Sequence, residues 1–128
     1  MWSAGEKIWD AEDGSGSGEF VISAHRVALR VSVALYVDGH LQVDRSTHLW
    51  ENGLTILMRR PLAIGTRIEV EFFLPGGFDV HCEAVVRRHD EAPLRAGPSR
   101  PVAVDLELLE VDAWARTAIQ DHVAARLP

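Results

Sequence analysis

Residues 27–39 read VALRVSVALYVDG, and this stretch decides the fold class. Valine or leucine stands at every second position, with alanine, arginine, serine and tyrosine between them. An alternation of period two is typical of a strand that buries one face. Asp38-Gly39 is a strong hairpin signal, because both residues tolerate the positive φ angles of a two-residue turn. The pattern therefore predicts one strand followed by a hairpin, with Leu41 and Val43 continuing the return strand.

The same alternation recurs further along the chain. Apolar residues occupy every second position over residues 54–58, 68–74, 78–86 and 102–108. Turn residues separate these runs, among them Gly53, Pro61 to Gly65, Pro75-Gly76-Gly77 and the proline-rich residues 90–101. Six short alternating strands at this spacing predict a mainly β fold, an antiparallel barrel or sandwich.

The C-terminal segment has a different period. Asp112 is a good helix N-cap residue, and the apolar residues after it recur with helical spacing: Trp114, Ala118, Ile119, Val123 and Leu127. We expect one C-terminal α-helix that covers the open end of the barrel.

Length and composition exclude several classes of protein. A chain of 128 residues with 47% hydrophobic residues has room for one domain with a real core. The net charge of -6 argues against a nucleic-acid partner. No apolar run approaches the ~20 residues of a membrane span, and the first residues lack the basic and apolar stretches of a secretion signal. We therefore expect a soluble cytoplasmic protein with no membrane insertion.

The acidity is concentrated at the N-terminus, where residues 1–20 hold five acids and one base. A Gly/Ser-rich linker divides the chain into an acidic arm (residues 1–13), the linker (14–19) and a domain (20–128). Strict Gly-Ser alternation occurs in natural tails and is also typical of engineered fusions, so the arm is either native or a tethered partner peptide. The anchors of such a peptide would be Trp2, Ile8 and Trp9. The alternative is that these side chains pack on their own domain.

No motif in the chain indicates catalysis. Cys82 falls on the inward face of its strand, as a core residue would. The six histidines form no HExxH pair, so we expect no metal site and no cofactor. The outward acids are interpreted as the solvated face of the strands: Glu69, Glu71, Glu83, Asp105 and Glu107. We expect a protein that is not an enzyme.

The stretch Arg26-Val27-Ala28-Leu29-Arg30 resembles the RxxxR motif of PilZ domains. The order downstream is also similar: a hairpin, a loop ending in Gly53, turns at residues 60–66 and 74–77, and a terminal helix. The resemblance covers about residues 24–126. It implies a six-stranded antiparallel PilZ-like β-barrel with one C-terminal α-helix, in a bacterial protein that reads cyclic di-GMP or a relative that has lost this ability.

The resemblance also implies which residues bind the nucleotide. Arg26 and Arg30 would hold phosphate and guanine, to which guanidinium groups are suited. The second family motif, [D/N]xSxxG, falls on residues 48–53, where only Gly53 is retained. His48 stands in place of the Asp or Asn, and Trp50 in place of the small Ser. Where many members place a further arginine, this chain has His25.

These departures predict a degenerate cyclic di-GMP site. The preferred hypothesis is a non-catalytic signalling adaptor that binds a protein partner or a linear, acidic, Trp-containing peptide. The alternative is a functional cyclic di-GMP receptor that binds through Arg26 and Arg30, with Trp50 stacking on a base.

Overall fold

The computed structural model describes residues 25–89 and 100–127. Within them lie seven strands and one helix: β1 (Val27–Ala28), β2 (Ser32–Val37), β3 (His40–Trp50), β4 (Gly53–Met58), β5 (Arg67–Leu74), β6 (Phe78–His89), β7 (Val102–Leu109) and α1 (Ala113–Arg126). The acidic arm, the linker and most of the proline-rich loop fall outside the described residues. No helix in the described part is long and apolar enough to cross a membrane.

The strands form a closed barrel in which every neighbouring pair is antiparallel. The order is β3, β2, β5, β6, β7 and β4, and β4 pairs back with β3 to close the sheet. The short β1 lies against β3 in line with β2. The predicted six-stranded antiparallel barrel with one C-terminal helix is confirmed.

The hairpin between β2 and β3 sets which side chains face the solvent. Asp38 and Gly39 both have positive φ, 51° and 80°, as a two-residue hairpin turn requires. Val37 therefore pairs with His40, and Leu41 lies opposite Tyr36 on the outer face of the barrel. Leu41 and Val43 do continue the return strand, but they point outward and are 60% and 57% exposed.

The first predicted strand is in fact two strands, because a bulge interrupts it at residues 29–31. Leu29 N–H donates to Thr47 O at 3.0 Å, and Ser46 N–H donates to Val31 O at 2.9 Å. Three residues of this segment therefore oppose two of β3, which is the geometry of a β-bulge. The buried Ser46 side chain supports the bulge, since its hydroxyl donates to Leu29 O and accepts from Val31 N–H. Alternation alone did not reveal this break.

The core lies inside the barrel and extends to one face of the helix. The inward residues of all six barrel strands are buried, Cys82 among them, as expected. Asp112 caps α1, because its Oδ1 accepts a hydrogen bond from Ala115 N–H at 2.8 Å. Ala115 and Ile119 pack into the core. Trp114 does not, since it is 79% exposed, so the helical face was predicted wrongly at that one position.

Candidate functional site

One row of side chains crosses five strands on the outer face of the barrel. His48 of β3 lies opposite Ala28 of β1 and Thr55 of β4. Thr55 lies opposite Asp105 of β7, which in turn lies opposite Arg88 of β6. Directly opposed residues of a sheet point to the same face and interact. The register therefore places a polar row beside the position of the sequence-predicted nucleotide site.

The centre of this row is a buried hydrogen-bond network. Thr55 Oγ1 donates to Asp105 Oδ1 at 2.6 Å, and both residues are buried. Arg26 Nη2 approaches Thr55 Oγ1 at 3.4 Å, a long and weak hydrogen bond. The interpretation of Asp105 as part of a solvated face is therefore wrong. A buried carboxylate needs donors, and Thr55, an outward residue of β4 that the alternation alone did not single out, supplies one.

A bulge in β3 turns Trp50 to the same outer face. Ser46 pairs with Ile56 and His48 with Thr55, so Thr47 is the extra residue. Both bulges meet at this point of β3, the other being at residues 29–31. Leu49 points into the core, and its neighbour Trp50 points the opposite way.

Trp50 is fully buried although it lies on the outside of the barrel. Its ring lies over Gly53, the residue directly opposite on β4. A Cβ atom at Gly53 would lie 2.3 Å from Cζ2 and 2.4 Å from Cε2 of the indole, closer than real atoms approach. Gly53 is therefore needed for the close approach of the indole to the backbone of β4.

Arg26 covers the other side of the indole. Its guanidinium carbon lies 5.3 Å from the centroid of the Trp50 ring. This separation is within the range of a cation–π contact. Together with the contact to Thr55, it keeps Arg26 against β3 and β4.

Arg30 has a different environment. It is the middle residue of the bulge at 29–31 and its side chain is exposed. Among the described residues it has no hydrogen-bond or ion-pair partner. The two arginines of the predicted motif are therefore not equivalent, because Arg26 is packed and Arg30 is open to solvent.

The charges of Arg26 and Arg30 both act on the pKa of His48. Burial lowers the pKa of His48, and the positive charges of Arg26 and Arg30 lower it further, against an opposing effect of Asp105. The imidazole is therefore neutral at pH 7, and its Nδ1 lies 3.1 Å from Thr47 Oγ1. The five predicted nucleotide-site residues all lie on one face around β3: Arg26, Arg30, His48, Trp50 and Gly53.

The turn after Trp50 is hydrogen-bonded to the C-terminal helix. Arg116 Nη1 donates to Asn52 Oδ1 at 3.3 Å, and Gln120 Nε2 donates to Glu51 Oε2 at 2.7 Å. A cleft of about 170 Å³ lies between this turn and α1, and His25 lines it.

The remaining candidate groups can be placed as well. Burial raises the pKa of the Cys82 thiol to about 11, so the thiol stays protonated at neutral pH. Within residues 25–89 and 100–127, no cluster of histidine, cysteine and acidic side chains could hold a metal ion. The predicted peptide anchors Trp2, Ile8 and Trp9 lie outside the described residues.

Comparison with known proteins decides the family. The family model of the PilZ domain matches residues 22–125. The chain belongs to the PilZ domain family. PilZ domains are in general binding or adaptor domains, and no enzyme family is indicated.

Two solved structures have the same fold as this PilZ domain. One is the Bacillus subtilis inhibitor of motility, MotI/DgrA, with a TM-score of 0.67 and 19% identity, covering 84% of this chain and 52% of that one. The other is the PilZ domain of Escherichia coli YcgR with c-di-GMP, with a TM-score of 0.62 and 16% identity, covering 79% and 87%. The chain thus spans about half the length of the Bacillus protein. No curated protein sequence matches the chain.

Proposed function

We propose that this PilZ domain is a non-catalytic signalling adaptor of the bacterial cytoplasm. In this proposal its cyclic di-GMP site is degenerate, and it acts by binding a protein partner or a linear peptide. The burial of Trp50 against Gly53 is the observation that carries the proposal.

The space that the family motif leaves for a ligand is filled by the indole. A small serine at position 50 would leave the outer surface of Gly53 open. Trp50 instead lies on that surface, and Arg26 packs over the ring. A nucleotide would have to displace a buried aromatic ring and break a cation–π contact before Arg26 could bind it.

His48 weakens the site further. An Asp or Asn at this position accepts hydrogen bonds from the N–H groups of guanine. A neutral imidazole has only one acceptor nitrogen, whereas a carboxylate has two acceptor oxygens. Each guanine donor left without an acceptor costs about 1–3 kcal/mol.

One observation supports the second candidate function, a working cyclic di-GMP receptor. Arg30 is exposed, and both Arg26 and Arg30 act electrostatically on His48. Guanidinium groups gathered in this way suit phosphate oxygens. In that case Trp50 would serve as a stacking platform for a base.

Calorimetric titration of the full chain with cyclic di-GMP separates the two candidates. The adaptor proposal expects no saturable heat at concentrations on the order of 100 μM. Micromolar binding that is lost in Arg30→Ala and kept in Arg67→Ala would contradict it. Arg67 is a matched control, because it is an exposed arginine on β5 that pairs with Glu83.

The binding partner in this proposal is an acidic segment of the type found in residues 1–13. Its acids are Glu6, Asp10, Glu12 and Asp13, and its large side chains are the anchors Trp2, Ile8 and Trp9. Buried tryptophans commonly dominate the energy of such contacts.

A labelled peptide of residues 1–13 tests the partner directly. It is titrated into the full chain in which Trp2, Ile8 and Trp9 are alanine, so that the chain's own arm does not compete. We expect saturable binding that weakens about five- to thirtyfold when the peptide carries Trp9→Ala. The matched control is Ser3→Ala in the peptide, which should change little. No saturable binding at millimolar concentration would contradict the proposal.

A further inference from the structure

Strand β3 is paired on both edges over only part of its length. Residues Arg45–Trp50 pair with β4 on one edge. Residues His40–Asp44 pair with β2 alone, and their second edge faces no strand among the described residues. Such an edge presents unpaired backbone N–H and C=O groups at alternate residues, which is a template for an additional strand. We call residues 40–44 with this edge the open edge.

A basic cleft runs along the open edge. It has a volume of about 330 Å³ and is lined by Val37, residues 40–44, Arg59 and Arg60. The two arginines follow the end of β4, are exposed, and have no ion-pair partner in the part of the chain that the structure describes. The acid of the lining, Asp44, is buried and accepts a hydrogen bond from Gln42 Nε2 at 2.7 Å. The solvent side of the cleft is therefore positively charged.

The outer face beside the cleft is apolar. Leu41 and Val43 are more than half exposed, and Tyr36 lies directly opposite Leu41. Burying apolar surface gains about 25 cal/mol per Å². A strand laid along the open edge would cover part of this face with the side chains that it points outward.

We infer that the open edge accepts the acidic segment of residues 6–13 as an added strand. The inference rests on the proposed peptide-binding function and identifies its surface. In an extended segment alternate side chains share a face. One face then carries three acids and one apolar residue, toward Arg59 and Arg60: Glu6, Ile8, Asp10 and Glu12. The other face carries Lys7, Trp9, Ala11 and Asp13.

The intervening chain is long enough for this contact. Val27 pairs with Leu49, and Gln42 lies seven residues further along β3, about 24 Å away at about 3.4 Å per residue. Residues 14–26 can span up to about 43 Å when extended. The arm can therefore reach the open edge of its own domain.

Amide hydrogen exchange on the full chain tests this inference. We expect alternate amides of the open edge to exchange at least about tenfold more slowly in the wild type than in the variant Glu6→Lys/Asp10→Lys/Glu12→Lys. The variant Arg59→Glu/Arg60→Glu should lose the same protection. Combining the two charge reversals should restore it, because the charges are again complementary.

Arg30→Glu is the matched control for charge. Arg30 is an exposed arginine without a described partner, like Arg59 and Arg60, but it lies opposite residues 46–47 of β3, outside the open edge. Protection of the open edge should survive in this variant. Equal exchange in the wild type and the arm variant, or loss of protection only in Arg30→Glu, would overturn the inference.

The peptide titration distinguishes this inference from the proposed function. If the 1–13 peptide binds Arg59→Glu/Arg60→Glu as tightly as the parent chain, the surface is wrong and the adaptor proposal stands. If the peptide binds none of the chains, the adaptor proposal itself fails. Thermal unfolding of each variant verifies that its fold is intact, and Arg59→Gln/Arg60→Gln replaces the charge reversal if it is not.

Discussion

The two halves of strand β3 differ although they are continuous in sequence. Residues 45–49 have β4 on one edge and β2, the bulge at 29–31 and β1 on the other. This half ends in the buried Leu49 and Trp50. Residues 40–44 are paired on one edge and expose Leu41 and Val43. The first half carries His48 and Trp50 of the predicted nucleotide site, and the second half borders a basic cleft.

Under the proposed function, this difference leaves binding capacity in the open half. In the closed half the side chains contact one another, with Trp50 on Gly53, Arg26 on Trp50, and Thr55 on Asp105. In the open half, backbone groups, apolar side chains and two arginines face the solvent. Binding in the closed half must first break internal contacts, whereas binding in the open half breaks none of those described.

The largest contrast should be in stability. Trp50→Ala removes a fully buried aromatic side chain, so we expect it to lower the free energy of unfolding by about 3–5 kcal/mol. Val43→Ala, in the open half of the same strand, should change it by less than about 0.5 kcal/mol. Urea unfolding of both variants measures the difference. Similar losses in the two variants would show that the halves are not distinct.

Gly53→Ala tests the contact that closes the first half. The new methyl group would overlap the indole, and we expect a loss of about 1–3 kcal/mol from overpacking. In a Trp50→Ser background the same substitution should cost much less, because the ring is gone. A double-mutant cycle by urea unfolding gives the coupling. Additive effects of the two substitutions would contradict the account of Gly53.

The alternation of the sequence was sufficient for the barrel but not for the environment of Trp50. The strands, the Asp38-Gly39 hairpin and the N-cap Asp112 could all be predicted from local patterns. Whether an outward residue is buried depends on what lies against it from distant parts of the chain. Asp105 looked solvated for this reason, since its partner Thr55 is 50 residues away.

The bulges are the second feature that local patterns did not reveal. Two extra residues, Arg30 and Thr47, shift the phase of β3 against its neighbours. Alternation continues through the first bulge, because Leu29 and Val33 are both buried. The hydrogen-bond ladder breaks without changing the apolar pattern, so only the register shows it. The outward direction of the Leu41 and Val43 side chains, by contrast, could have been predicted, since a two-residue turn places Leu41 opposite Tyr36.

Thr55→Val tests the network beneath Arg26. It removes the donor to a buried carboxylate at nearly constant volume, and we expect a loss of about 1–2 kcal/mol in the free energy of unfolding. Thr117→Val is the matched control, because Thr117 is exposed on α1. Urea unfolding should show no comparable loss for the control. A loss of equal size there would mean that the hydrogen bond to Asp105 contributes little.

The smallest expected effect is on the pH dependence of stability. Burial lowers the pKa of His122, and the nearby Arg126 lowers it further. The pKa of His48 is also lowered. The folded state therefore disfavours the protonated rings. The free energy of unfolding has its full value above the ordinary histidine pKa of about 6.5 and falls as the pH drops below it. Urea midpoints between pH 7.5 and 5 measure the slope. His122→Gln should flatten it, and an unchanged slope in that variant would contradict this assignment.

The central claim is that Trp50 and His48 close the nucleotide site of this PilZ domain. The most direct measurement is calorimetric titration of cyclic di-GMP into the full wild-type chain and into His48→Asp/Trp50→Ser, which restores the family motif. Circular dichroism verifies that both are folded. We expect no saturable binding to the wild type and at least about tenfold tighter binding to the restored variant, a gain of at least about 1.4 kcal/mol. Micromolar binding to the wild type that the double substitution leaves unchanged or weakens would contradict the claim.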